Sequence, residues 1–287
     1  MTYTQASAKS DRDIVSYTSV RGAEIKQINE AIQEGTSISQ LHKNFVRPQG
    51  EDTETSTVDD TVSLLHALDF IERPSERTVE PISNQPFSDL PFELRFCHHL
   101  MEQEGTQDHF MEMHRLLANQ DSVFVDKEEF EEDIERELDW YPFDWKVNKV
   151  ENWYNMLDPL GIVSTHNNQK ILTGPSPRSV FDLLKAFEER EGSASFREAL
   201  DWIEDEFFYC YVDRGGARPR VHAGLDQTLS TLMYDDAIEL STVSDAKQGV
   251  NVPSLEASQT STFSVEEHPV VPSYEYPLES HNLEVSR

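Results

Sequence analysis

The sequence predicts a mainly helical α+β fold, with three tandem repeat units set between disordered terminal tails. Two observations lead there. Apolar residues at helical spacing run three times into a short apolar strand, a polar turn and a returning strand, and a proline closes each copy. Both ends of the chain lack any such periodicity.

The first copy is VDDTVSLLHALDFIERPSERTVEP, residues 58–81. The second is VENWYNMLDPLGIVSTHNNQKILTGP, residues 150–175, and the third is LDQTLSTLMYDDAIELSTVSDAKQGVNVP, residues 225–253. The helical positions are Val58, Val62 and Leu65; Val150, Tyr154 and Leu157; and Leu225, Leu229 and Leu232. Each helix stops at an acidic or proline break, as at Asp158-Pro159. The strands that follow begin at Phe70-Ile71, at Ile162-Val163, and at Ile238 and Leu240. Turns rich in Asn, Ser, Asp and Gly then make hairpins of them, and Pro81, Pro175 and Pro253 mark their ends.

Further helices precede each copy. Ile25, Ile28 and Ile32 form one face, Gly35 interrupts it, and Ile38, Leu41 and Phe45 form the next, with Thr36 and Ser37 placed to cap it. Residues 92–104, 110–118 and 126–138 precede the second copy, which therefore carries an additional helix. Residues 180–190 and 196–209 precede the third, separated by GSAS. The units are expected at 21–82, 88–176 and 177–253. A flexible tail is expected at 1–20 and an acidic, largely disordered tail at 254–287, with apolar islands at Val270-Val271 and Tyr274-Tyr276.

Three helices followed by a two-stranded hairpin resemble the winged helix-turn-helix family, and the resemblance covers roughly residues 21–253. It implies that the third helix of each unit enters a DNA major groove while the wing touches phosphate. The residues suited to that role are Lys146, Asn148, Lys149 and Asn152 on the third helix of unit 2, and Lys170 on its wing. In unit 3 they are Arg214, Arg218 and Arg220, ahead of the third helix. Both clusters also read as solvated faces paired with nearby acids. In unit 1, Asp59 and Asp60 stand where phosphate would lie and would repel it.

Charge sets the wider context. There are 54 acidic residues against 24 basic ones, a formal charge of −30, and the acid is spread along the whole chain. This resembles the proteins of salt-in halophiles, notably haloarchaea; an ordinary acidic protein that avoids nucleic acid is the other reading. High salt weakens phosphate contacts, so a halophilic DNA binder would need apolar contacts or avidity. Two cysteines, Cys97 and Cys210, make neither a disulfide framework nor a zinc set. With no long apolar run and a polar start, the expectation is a cytoplasmic protein that uses no membrane.

No pattern of catalysis emerges. GPSPRS, residues 174–179, lacks the Gly-Lys-Ser/Thr end of a phosphate loop. His98, His99, His109 and His114 match no metal-ligand spacing and read as surface or half-buried histidines. Trp140, Trp145 and Trp153 read as packing residues. No metal, cofactor or small-molecule ligand is expected. Two functions follow from these readings. One is a non-catalytic DNA-binding protein in transcription control or in a defence or chromosome-maintenance complex, with double-stranded DNA and protein partners or self-association. The other is a scaffold that joins proteins without touching DNA, similar in architecture to the tandem winged-helix subunits of condensin-type complexes.

Overall fold

The computed structural model describes residues 12–17, 19–45, 47–49, 52–142, 144–145, 147–166, 169–192, 195–214, 219–241, 249–255 and 260–266. The fold is α+β and mainly helical, and its sheets have only two or three strands. One element order recurs three times: helix, extended segment, helix, helix, and a pair of antiparallel strands.

In the first unit, α1 (Gly22–Ala31) buries Ile25 and Ile28, and Ile32 is buried just beyond it, the face that the isoleucine spacing predicts. Gly35 takes φ +71°, a left-handed turn that glycine adopts without a Cβ clash. β1 (Thr36–Ser37) and α2 (Ile38–Phe45) follow, and the Ser37 hydroxyl accepts from Gln40 N at 3.2 Å. A small hairpin of β2 (Arg47–Gln49) and β3 (Asp52–Glu54) then leads to α3 (Ser56–Ala67), β4 (Ile71–Ser75) and β5 (Thr78–Pro81). β5 lies between β4 and β1, antiparallel to both, with Thr36 opposite Val79.

The second unit opens with the additional helix α4 (Phe92–Met101), followed by α5 (His109–Ala118), β6 (Phe124–Asp126) and α6 (Lys127–Glu137). Asp126 caps α6 by accepting from Glu128 N at 3.0 Å. After α7 (Val147–Leu157), the chain breaks in a 3-10 turn at Asp158–Leu160 and Gly161 at φ +66°. The hairpin is β7 (Ser164–His166) and β8 (Lys170–Leu172), with β8 between β7 and β6.

The third unit contains α8 (Pro177–Glu191), α9 (Phe196–Glu206), an inserted hairpin of β9 (Tyr211–Asp213) and β10 (Arg220–Val221), α10 (Ala223–Tyr234), β11 (Ile238–Ser241) and β12 (Thr262–Val265). Ser195 bridges Thr262, so the segment between α8 and α9 again meets the last strand.

Three expectations are corrected. Residues 14–17 belong to the body: Ile14–Ser16 form a 3-10 turn, and Ile14, Val15, Tyr17 and Val20 are buried. Their surroundings come from residues far along the chain, so no local periodicity reveals them. The third unit does not end at Pro253, because the partner of β11 is β12, in register from Ile238↔Val265 to Ser241↔Thr262. The segment after residue 254 is therefore ordered at this strand, where Phe263 joins the core. Val270, Val271, Tyr274 and Tyr276 lie outside the described residues. The short strands β1 and β6, and the bridge at Ser195, have no counterpart in the expected element order.

The units share one continuous apolar core. α1 lies against α7 and the Asp158–Leu160 turn, so closely that a Cβ on Gly22 would stand 2.4 Å from Met156 O. α4 packs on α9. Gly174, in the link to α8, meets Gly224 of α10; a Cβ on Gly224 would stand 2.2 Å from Gly174 N. Among the described residues no helix is long and apolar enough to cross a membrane.

Candidate functional site

The third helices decide what surfaces the chain offers. α7 is apolar on more than one side: Val150, Trp153, Tyr154, Met156 and Leu157 are all buried. Trp153 Nε1 donates to Phe110 O at 3.0 Å. The Ile14–Ser16 turn and α1 cover the remaining side.

Asn152 shows the effect of this enclosure. It is 2% exposed, and its Nδ2 donates to Val15 O at 3.0 Å. The same turn is held a second time where Val15 N donates to His109 Nε2 at 3.1 Å. Asn152 therefore satisfies a buried backbone carbonyl and has no access to a base edge. Its expected role in reading DNA is corrected on that ground. Asn148 is exposed and Lys149 half-buried on the first turns of α7. Lys146 lies outside the described residues. Lys170 is exposed on β8, between Asp126 of β6 and His166 of β7.

The described arginines of the cluster face acidic groups on separate segments. Arg214 lies 2.5 Å from Asp205 Oδ1, 3.6 Å from Glu204 Oε1 and 3.9 Å from Asp201 Oδ1, all on α9. The bond to Asp205, with the charges of Glu204 and Asp201, raises its guanidinium pKa further despite some desolvation. Glu204 itself accepts from Cys210 N at 2.8 Å and Tyr211 N at 2.9 Å, which fixes the turn from α9 into β9. Burial raises the Glu204 pKa against these bonds and the nearby Arg214. Arg214 thus closes a structural network at that turn. Arg220 approaches Asp121 at 3.7 Å, and Arg218 lies outside the described residues.

The remaining third helices carry no basic face among the described residues. α3 presents Asp59, beside His42 at 2.8 Å, and Asp60, which accepts from Arg12 at 2.6 Å and Ser19 at 2.6 Å. α10 presents Gln227 and Tyr234, the latter 88% exposed, followed by Asp235 and Asp236. Other exposed aromatics are Phe124 on β6 and Trp140, which stacks on Tyr141 at 3.8 Å. Trp145 and Trp153 pack inside as expected; Trp140 does not.

All four histidines of the 97–114 stretch are buried, which corrects the surface or half-buried reading. His114 makes no hydrogen bond through either ring nitrogen and lies over the Tyr209 ring at 6.1 Å. Burial pushes its pKa down to about 4. His222 caps α10 through Nδ1, which accepts from Leu225 N at 3.3 Å. Burial, and secondarily His114, pushes its pKa down to about 3. His98, by contrast, faces Glu102 and Glu206, the one group of three such side chains among the described residues with metal-ligand proximity. The adjacent histidine pair hides this signal in the sequence, because the third member arrives from α9.

A cleft of about 370 Å³ lies between α6, α7 and the β7 hairpin. Lys127 rests over the Tyr154 ring there at 4.8 Å, and burial raises the pKa of Glu131 and Asp158. Comparison with protein-family models, curated proteins and solved structures returned no match.

Proposed function

We propose that the chain is a non-catalytic scaffold of three winged-helix units, joining proteins rather than reading duplex DNA. The element order and the return of the last strand beside the first support the winged-helix reading in units 1 and 2; in unit 3 the Ser195–Thr262 bridge stands in for a full strand. One observation carries the joining role: α7, the helix that would have to enter a groove, is enclosed by the Ile14–Ser16 turn and α1. An α-helix fills a major groove with its side chains, so a helix packed on opposite sides cannot do so without partial unfolding. The acidic outer face of α3 and the Asp235-Asp236 pair after α10, together with the exposed aromatics, favour protein surfaces over phosphate.

The test pairs two measurements in molar KCl. A pull-down from native lysate is expected to return stoichiometric partners that survive nuclease treatment. Fluorescence anisotropy with duplex DNA is expected to show no saturable binding. Saturable binding that Lys170→Glu abolishes would overturn the joining reading in favour of DNA contact through the exposed Asn148 and Lys170.

A further inference from the structure

We infer that His98, Glu102 and Glu206 form a binding site for a first-row divalent transition metal, bridging α4 to α9. His98 and Glu102 stand one helical turn apart on α4, so their side chains share a face. Glu206 is the last residue of α9. One ligand atom from each of the three lies within 4.8 Å of the other two. His98 Nδ1 is 3.3 Å from Glu206 Oε2 and, without an ion, donates to the Glu206 carbonyl oxygen at 3.1 Å, a proton that the ion would displace. Ligands sharing one ion stand about 3–3.5 Å apart. The His98–Glu206 spacing already meets that distance, and rotation of the exposed Glu102 side chain closes the rest.

Two features argue for an ion beyond simple proximity. The imidazole is fixed: His98 is only 5% exposed and is packed edge-on to Phe87 at 4.8 Å, with Phe207 at 6.0 Å. A ring held by aromatic packing presents its nitrogen in one direction, as a ligand must. The two carboxylates also converge with no Lys or Arg ion pair to either of them among the described residues. A divalent cation would neutralise the two carboxylates where they meet. An imidazole with two carboxylates suits Zn²⁺, Co²⁺ or Ni²⁺ better than the all-oxygen ions Mg²⁺ and Ca²⁺. Because α4 opens the second unit and α9 lies in the third, the ion would clamp the two together.

The full chain in molar KCl with excess Mg²⁺ is titrated with Co²⁺ and then with Zn²⁺. Excess Mg²⁺ occupies nonspecific carboxylates. Wild type is expected to bind one Co²⁺, with visible d–d bands that Zn²⁺ displaces, and to melt at a higher temperature when loaded. Glu102→Gln and Glu206→Gln alter groups at the solvent edge and spare the His98 ring. Each is expected to weaken binding by at least about tenfold and to remove the melting shift. Equal Co²⁺ affinity in wild type and both variants, or failure of the wild type to bind in the presence of Mg²⁺, overturns the site. Neither result bears on the scaffold proposal, which rests on α7.

Discussion

Replacing Gly224 with alanine sets a helix-propensity gain against a packing cost, and the structure says which wins. In an open helix position the change would stabilise by up to about 1 kcal/mol. At Gly224 the new Cβ would stand 2.2 Å from Gly174 N and 2.2 Å from the Thr173 carbonyl carbon. Both are backbone atoms, so no side-chain rotation relieves the contact; the two segments must separate by more than about 1 Å to reach ordinary contact distance. Overpacking of that kind costs roughly 1–3 kcal/mol. The same separation stretches the 2.8 Å bond from Thr228 Oγ1 to Pro175 O, worth about 1 kcal/mol more. The net expectation is a loss of about 1–3 kcal/mol. For a chain of this size that is a fall of about 2–12 °C in melting temperature. Urea unfolding and thermal melting of wild type and Gly224→Ala in molar KCl measure it. An alanine variant as stable as wild type would show that the two segments do not meet as described.

Three more predictions have separate readouts. Asn152→Ala leaves Val15 O buried without a donor and should lose about 1–3 kcal/mol, with faster proteolysis near residues 12–17 and no change in duplex DNA affinity. A change in DNA affinity without loss of stability would restore Asn152 as a base reader. His114 and His222 are held neutral, at about 4 and about 3, whereas an unfolded histidine titrates near 6.5. The unfolded chain therefore binds more protons below about pH 6.5, and the stability present above it drains away as pH falls. The loss is roughly 2 kcal/mol per ring between about pH 7 and about pH 5. Urea midpoints at the two pH values should differ less in His114→Leu/His222→Asn, in which asparagine keeps the cap on α10; an unchanged difference would count against the buried pair. Finally, a formal charge of −30 should make melting temperature climb steadily from low salt to molar KCl. A flat response would remove the halophilic reading.

What the sequence made legible were features with local causes. The isoleucine face of α1, the Ser37 cap, the stop at Asp158-Pro159 and the β4–β5 hairpin closing at Pro81 all follow from spacing and turn chemistry within a dozen residues. Long-range features were not legible. β12 pairs with β11 across an interval much longer than any hairpin turn, and proximity in sequence had suggested a return before Pro253. The basic residues looked available because a composition does not show where acids fold; Arg214 meets Asp205 only once α9 has ended and the chain has turned. Asn152 looked like a surface residue because the group that covers it lies 137 positions away.

That separation bears on how the protein is made. Ile14, Val15 and Tyr17 leave the ribosome well before His109, Asn152 and the rest of α7, which are synthesised much later. Until then the apolar side chains ahead of α1 lack the cover that α7 gives them. The first unit can build its sheet and its α1–α3 contacts meanwhile, but its N-terminal edge must wait for the middle of the chain. Folding of the first two units is thereby coupled in time. A fragment ending before residue 147 would carry a correctly wound first unit with a sticky, protease-sensitive leading edge, and release of the finished α7 would act as the latch.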